Sequence, residues 1–321
     1  MKITNLIASL VLICLTICGC SDIFSSTLIE PQFQVGEQAI YQSQSVSIAT
    51  DNGIEVSRKT GKHKMLLSVK GMNSEGYVLR FKPFYSNNEP KHSVNSDQDL
   101  IRGVVVDFTK QLEYLFQTDK NGQLIDVANF VEINELVDNA ISAVKADHPQ
   151  GGKGLEAALN IAFQSFTNKE IILIIYREVG GLLGLYGKKF KEGDTLVSNT
   201  ITGTVTTQIT SVTPPSENSG YIVKTVSDTQ SNEDYYYEMS IKHLAKAGDL
   251  TDDDKAFMRR RANEIAKGLC IHSEVTYEFF PNGWVKSIKA VYTPKDEVSN
   301  KSSTTKLTDI IECVDSKKLK L

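Results

Sequence analysis

Apolar side chains alternate with polar ones along much of the chain, the period of two that turns one face of an extended strand to a core and the other to water. Met65, Leu67 and Val69 follow this rule, and after a glycine-containing turn Tyr77, Leu79 and Phe81 repeat it with Arg80 and Lys82 on the opposite side. Val104, Val106, Phe108, Leu112, Tyr114 and Phe116 read as one face of a long strand, with Asp107, Thr109, Gln111 and Glu113 on its wet face. Further strands are predicted over 205–212, 221–226, 235–241, 275–280, 284–292 and 304–313. Asn121-Gly122 and Asn282-Gly283 mark hairpins, and the type I′ turn such pairs favour needs positive φ at both central residues.

The period lengthens to that of a helix in a few places. Val131, Leu136, Val137, Ala140, Ile141 and Val144 recur at spacings of three and four over 130–146, which ends before His148-Pro149. Leu155, Leu159, Ala162, Phe163 and Phe166 mark a second helix. The stretch 168–185 is ambiguous: its apolar centre at 171–176 suits a buried strand, but the run continues and favours a helix. A helix over 251–268 has Thr251 as N-cap, and Asp252, Asp253 and Asp254 sit in its first turn, where the dipole favours negative charge. Lys267-Gly268 closes it.

The pattern also occurs twice. Phe33-Gln34-Val35-Gly36-Glu37 returns as Phe190-Lys191-Glu192-Gly193-Asp194, and Gly76-Tyr77-Val78 returns as Gly220-Tyr221-Ile222. Tyr114-Leu115-Phe116 with Asn121-Gly122 returns as Tyr277-Glu278-Phe279 with Asn282-Gly283. The expected fold is therefore α+β: two similar antiparallel β-rich units, 33–129 and 188–321, with helices packed between or against them. Residues 130–187 form a helical connector, and 251–268 is a helix inserted in the second unit.

Ahead of the body stand Lys2 and an apolar run from Leu6 to Ile17. A charged head, a greasy run and small residues make a secretory signal over 1–19, and the run is shorter than the about 20 residues a bilayer-spanning helix needs. Ile17-Cys18-Gly19-Cys20 resembles the lipobox of bacterial lipoproteins. That resemblance implies cleavage after Gly19, a diacylglyceryl thioether on Cys20, and a lipidated tether over 20–32. The lipobox, the paired Phe-x-x-Gly-acid openers and the paired hairpins together resemble an uncharacterised family of bacterial envelope lipoproteins. This implies twisted antiparallel sheets with helices on one face, and it brings no activity or catalytic residue. It places the chain in the bacterial envelope; Ser21 leans toward the outer membrane and Asp22 leaves the inner one open.

Hydrophobic and charged shares of 40% and 23% suit a folded globular body. A formal charge of −4 argues against a nucleic-acid partner, which selects a basic surface, so membrane attachment rests on the acyl chains. Cys14 and Cys18 leave with the signal and Cys20 is acylated, so Cys270 and Cys313 remain. In a meander of the last three strands they lie about nine residues apart at about 3.3 Å each, beyond the about 7 Å Cα limit of a disulfide, and are expected to be free.

Chemistry is thinly marked. Asp119-Lys120-Asn121-Gly122 reads as a hairpin rather than a calcium loop, for no bidentate glutamate follows at the required position. Asp249 and Asp252 to Asp254 read as helix capping rather than a cation site. Cys270 and His272 share a strand face but have no third group to orient them. His63, His92, His148 and His243 lack metal-ligand spacing. The candidates for ligand contact are Arg259, Arg260 and Arg261, able to meet a phosphate or lipid head group, and Tyr236, able to stack. No cofactor or metal site is expected. Three classes follow: a non-catalytic envelope lipoprotein that binds another macromolecule or is structural, a periplasmic carrier or binder of a lipid or other apolar ligand, and an enzyme without a linear motif.

Overall fold

The alternation builds one large antiparallel sheet in the computed structural model, which describes residues 26–84, 97–163, 166–169, 172, 177–200, 203–216, 219–244, 250–268, 270–294, 303–316 and 319. The signal 1–19, Cys20 and the start of the tether lie outside the described residues. In chain order the strands are β1 (Thr27–Leu28), β2 (Gln38–Asp51), β3 (Ile54–Met72), β4 (Tyr77–Phe84), β5 (Tyr114–Thr118), β6 (Leu124–Val127), β7 (Lys189–Phe190), β8 (Thr195–Thr200), β9 (Gly203–Thr213), β10 (Ile222–Ser231), β11 (Ile271–Phe279), β12 (Val285–Pro294) and β13 (Ser303–Asp315). The helices are α1 (Asp97–Gln111), α2 (Phe130–Asp147), α3 (Gly152–Phe163), α4 (Arg177–Leu183), α5 (Glu233–Leu244) and α6 (Asp252–Gly268).

Eleven strands lie in the order β6-β5-β4-β3-β2-β13-β12-β11-β10-β9-β8, and β1 pairs separately with β7. This corrects the α+β expectation. The protein is predominantly β, and β2 pairs with β13 from Asp51↔Ser303 to Ile40↔Asp315, so the strands form a single sheet rather than two units with helices between them. The reason lies in β2, where Ser43, Ser45 and Ser47 alternate in Gln-Ser-Gln-Ser-Val-Ser and hide its strand character from a search for apolar alternation.

One face of the sheet is buried. Tyr41, Met65, Leu67, Leu79, Phe81, Tyr114 and Phe116 share a core with Phe108 of α1, Ile133, Val137 and Val144 of α2, and Leu159 and Phe163 of α3. Phe108 meets Phe163 and Phe166 edge-on at 5.0 and 5.2 Å, so aromatic rings fill this half of the interior.

The long strand expected over 104–116 is instead α1 followed by β5. Val104, Val105 and Val106 favour extension locally, but Ile101, Val104, Phe108 and Leu112 are spaced by three and four, and the buried ring of Phe108 decides for the helix. The strand expected over 235–241 is likewise α5. Asn232 Oδ1 accepts from the backbone N–H groups of Asp234 (3.1 Å) and Tyr235 (3.4 Å), and Glu233 and Asp234 favour the positive end of the helix dipole.

The hairpin turns differ in kind from expectation. Gly122 and Gly283 have φ of 87° and 82°, while among non-glycine residues described only Asn52 has positive φ. Asp119 N–H donates to Gln123 O at 2.8 Å and Gly122 N–H to Asp119 O at 3.1 Å; Phe280, Trp284 and Gly283 repeat this at 2.7 and 2.9 Å. These are three-residue loops ending in a left-handed glycine, and the two-residue turn with positive φ at both centres falls at Asn52-Gly53.

The openers match as closely. Gly36 and Gly193 both have φ of 91°. Gly36 N–H donates to Val69 O at 2.9 Å and Gly193 N–H to Ile209 O at 2.8 Å. Glu37 Oε2 accepts from Gln34 N–H at 2.8 Å, as Asp194 Oδ2 does from Lys191 N–H at 2.8 Å.

Candidate functional site

The residues marked in the sequence do not converge. Arg259 lies over the Tyr237 ring, 3.7 Å from its centroid, and pairs with Asp234 and, at 3.9 Å, with Glu233, so it ties α6 to α5. Arg261 pairs with Glu264 on its own helix at 2.8 Å, and Arg260 is exposed. Tyr236 is half-buried and meets Tyr235 edge-on at 5.3 Å; burial, then the neighbouring Tyr235, raises its pKa. Thr251 and Asp254 form a reciprocal cap, Asp254 N–H to Thr251 Oγ1 at 3.2 Å and Thr251 N–H to Asp254 Oδ2 at 3.0 Å. Asp119 Oδ1 accepts the N–H groups of Asn121 and Gln123 at 2.9 and 2.8 Å, a turn-forming role.

Cys270 and Cys313 are free. Cys270 donates to Ala266 O at 3.6 Å, whereas His272 Nδ1 lies 2.9 Å from Asp228 on the neighbouring strand, so thiol and imidazole have different partners. Burial pushes the Cys313 thiol up to about 11, well away from a reactive thiolate. Among the described residues no group of three or more His, Cys, Asp or Glu is placed to hold a metal ion.

On the wet face Glu113 accepts from Arg80 and, at 2.9 Å, from Lys82. The hydrogen bond from Arg80, then that from Lys82, holds its pKa at about 2, below the ordinary 4.5. A carboxylate depressed in the folded state stabilises above its ordinary pKa and loses that contribution as pH falls toward the folded value. Glu113→Gln is therefore expected to cost about 1 kcal/mol at neutral pH, discounted for solvent screening, and to flatten the acid limb between about pH 4.5 and 2. Unfolding free energies measured across that window check it.

A feature that apolar alternation does not mark lies on the inner face of β9 to β11. Thr207 of β9, Thr225, Ser227 and Thr229 of β10, and Ser273 of β11 are all buried. The register sets Thr207 opposite Ser227 and Ser227 opposite Ser273, one row across three strands, with Thr229 a step beyond. Thr207 and Ser227 hydrogen-bond at 2.8 Å. Ser273 Oγ and Thr229 Oγ1 have no hydrogen-bond partner, though the residues are 0% and 8% exposed. Around this ledge stand Val205, Ile209, Val223 and Val275, and α6 lies against β10 with Ala262 and Ala266 buried. The sequence signal is Thr-x-Ser-x-Thr at alternate positions of β10, but a hydroxyl scored as polar points the strand the wrong way round.

No family model and no curated protein matches the chain. Among solved structures it is similar, at a TM-score of 0.37 and 13% identity over 87% of its length, to one describing lipid-protein interactions in lipovitellin. The chain spans 25% of that chain.

A second buried cluster lies at the end of the sheet where the hairpins turn. Phe33 packs edge-on against Tyr77 (5.3 Å), Tyr186 (5.4 Å) and Trp284 (4.8 Å). Trp284 Nε1 donates to Glu37 at 3.0 Å, Tyr41 OH to Val285 O at 2.9 Å and Tyr186 OH to Gly283 O at 2.8 Å. Burial raises the pKa of Tyr41 and Tyr186, and lowers the half-buried Lys188 ammonium to about 8. The indole and the hydroxyls of Tyr41 and Tyr186 are satisfied from within, so this cluster holds the fold together, in contrast to the ledge.

Proposed function

We propose that the chain is a lipoprotein of the bacterial envelope, held to a bilayer by acyl chains on Cys20, whose body is a non-catalytic binding unit for an amphiphilic ligand. The observation that carries the binding reading is the ledge: two buried hydroxyls, Ser273 Oγ and Thr229 Oγ1, without a partner beside the apolar Val205, Ile209, Val223 and Val275. A buried hydroxyl without a hydrogen bond costs about 1–3 kcal/mol, so a natural interior seldom keeps one without something to satisfy it. A ligand with a neutral hydrogen-bonding head and an apolar body supplies both what the oxygens lack and what the valines favour.

The two parts of the sheet also differ in what they bury: α1, α2 and α3 fill one with aromatic rings, while the other carries the buried hydroxyls of β9 to β11.

The test is extraction of bound small molecules from the protein purified from membranes, read by mass spectrometry. The expected result is a stoichiometric amphiphile on the native chain and at least about tenfold less on the paired variant Ser273→Ala and Thr229→Val, which removes both hydrogen-bonding groups without adding volume. A native protein that releases no amphiphile, with a variant that is merely more stable, would refute the proposal in favour of ordered water.

A further inference from the structure

Residues 27–33 are built into the end of the sheet where the hairpins turn. Thr27 and Leu28 pair with Phe190 and Lys189 of β7. Ile29, 0% exposed, donates its N–H to Lys188 O at 3.3 Å and accepts from Gly187 N–H at 2.9 Å, and Gln32 N–H donates to Asn282 O at 3.0 Å. Pro31 lies against both hairpin turns: a Cβ on Gly122 would come within 2.5 Å of its ring, and one on Gly283 within 3.0 Å of its Cα. Thr27 stands seven positions after Cys20. A chain gains at most about 3.6 Å per residue, so whatever holds Cys20 lies within about 25 Å of this corner. The same end carries exposed apolar side chains. Met72, the last residue of β3, is 58% exposed, and the turn after it brings Gly76 against the backbone of Asp119. Val35 is 63% exposed, next to Gly36, whose N–H donates to Val69 O. Lys70, Lys120, Lys189 and Lys191 are exposed there too, as are Glu30, Glu75 and Glu192.

We propose that this end, around Val35 and Met72, is a docking surface for the bilayer that holds the acyl chains of Cys20, so that the body stands on the membrane with the Asn52-Gly53 turn pointing away. The inference rests on the acylation of Cys20 proposed above. The length of chain between Cys20 and Thr27 decides for the bilayer over a protein partner: it keeps this end, and no other, within about 25 Å of lipid, where even a weak contact is held at high effective concentration. Val35 and Met72 supply apolar contact to the head-group layer, and the lysine stems can lie along it with their ammonium groups among the phosphates. The carboxylates at the same end keep the charge near balance, so the aliphatic pair carries the docking. The far end of β3 lies eighteen positions from Met72, roughly 60 Å along the strand, where Ile54 is 69% exposed.

The experiment is fluorescence quenching of the protein purified as the cell makes it and reconstituted into vesicles of phosphatidylcholine and phosphatidylglycerol brominated on their acyl chains. Trp284 is the single tryptophan and is 0% exposed, so native protein supplies the background. Met72→Trp and Val35→Trp are expected to be quenched and Ile54→Trp to stay unquenched. Each reporter adds the same indole at an exposed position, so the difference between them reports where the bilayer lies. Adding Val35→Glu to Met72→Trp should lower its quenching at least about twofold, since a charge replaces an apolar contact. Circular dichroism confirms that each variant is folded. Quenching equal at Met72→Trp and Ile54→Trp means a body lying flat; that result, absent quenching at both Met72→Trp and Val35→Trp, or no effect of Val35→Glu overturns the proposal. Flotation with the vesicles and the mass of the N-terminal peptide separate the two readings. An acylated chain that floats without quenching at 72 and 35 overturns the docking alone, whereas a chain without acyl groups on Cys20 overturns the lipoprotein reading and the docking with it.

Discussion

Trp284→Ala is expected to lower stability by about 3–5 kcal/mol, the range for removing a large ring from a packed core. Trp284 is 0% exposed and stands where the opener of β2, the β11–β12 hairpin and Tyr186 meet. The void would sit beside Phe33 and Tyr41, which cannot close over it without leaving their own partners. The lost indole also removes a donor from Glu37, which is 3% exposed; its remaining bond from Gln34 N–H limits that part of the loss. Trp284→Phe keeps most of the volume and loses only the donor, so its loss should be about 1–2 kcal/mol. Denaturant unfolding of both variants checks the order; equal losses would show that the hydrogen bond, not the packing, holds the cluster.

Gly76→Ala and Gly220→Ala should be as damaging, each by about 3 kcal/mol or more, for a different reason. A Cβ on Gly76 would lie 2.3 Å from the backbone of Asp119 and Thr118, and one on Gly220 would lie 2.3 and 2.4 Å from the carbonyl oxygens of Phe280 and Phe279. Backbone cannot turn aside as a side chain can, so the β4–β5 or β10–β11 pairing must open. Gly61→Ala is the control: it meets nothing within 4 Å. Similar losses at 76 and 220, with little change at 61, are expected in thermal unfolding. A mild effect at either of the first two would break the equivalence of the two turns.

That equivalence is legible in the amino-acid sequence alone, because glycines forced by close backbone approach leave the same mark in both halves. Most strands are legible for a related reason: residues such as Leu79 and Phe81, or Val275 and Tyr277, alternate with charged or polar neighbours. Reading fails where side chains carry mixed messages. The serines of β2 hide the strand that makes the sheet continuous. Three consecutive valines disguise α1 and three consecutive tyrosines disguise α5, because β-branched and aromatic runs favour extension locally while burial and capping act over longer spans. The ledge is unreadable for a third reason. Thr225, Ser227 and Thr229 occupy buried positions, and no periodicity of apolar residues can find a hydroxyl that faces inward.

The pairing of β2 with β13 has a further consequence, in time rather than space. One of these neighbours begins at Gln38 and the other ends at Asp315, so the seam at the middle of the sheet joins nearly the two extremes of the described chain. A polypeptide made from its N-terminus delivers the closing strand last. Until then β2 and β12 each keep a bare side, and contacts between distant parts of a chain form slowly. The chain must therefore pass through a half-zipped intermediate as it folds, and trimming even the final strand would reopen the molecule at its centre rather than fray its rim.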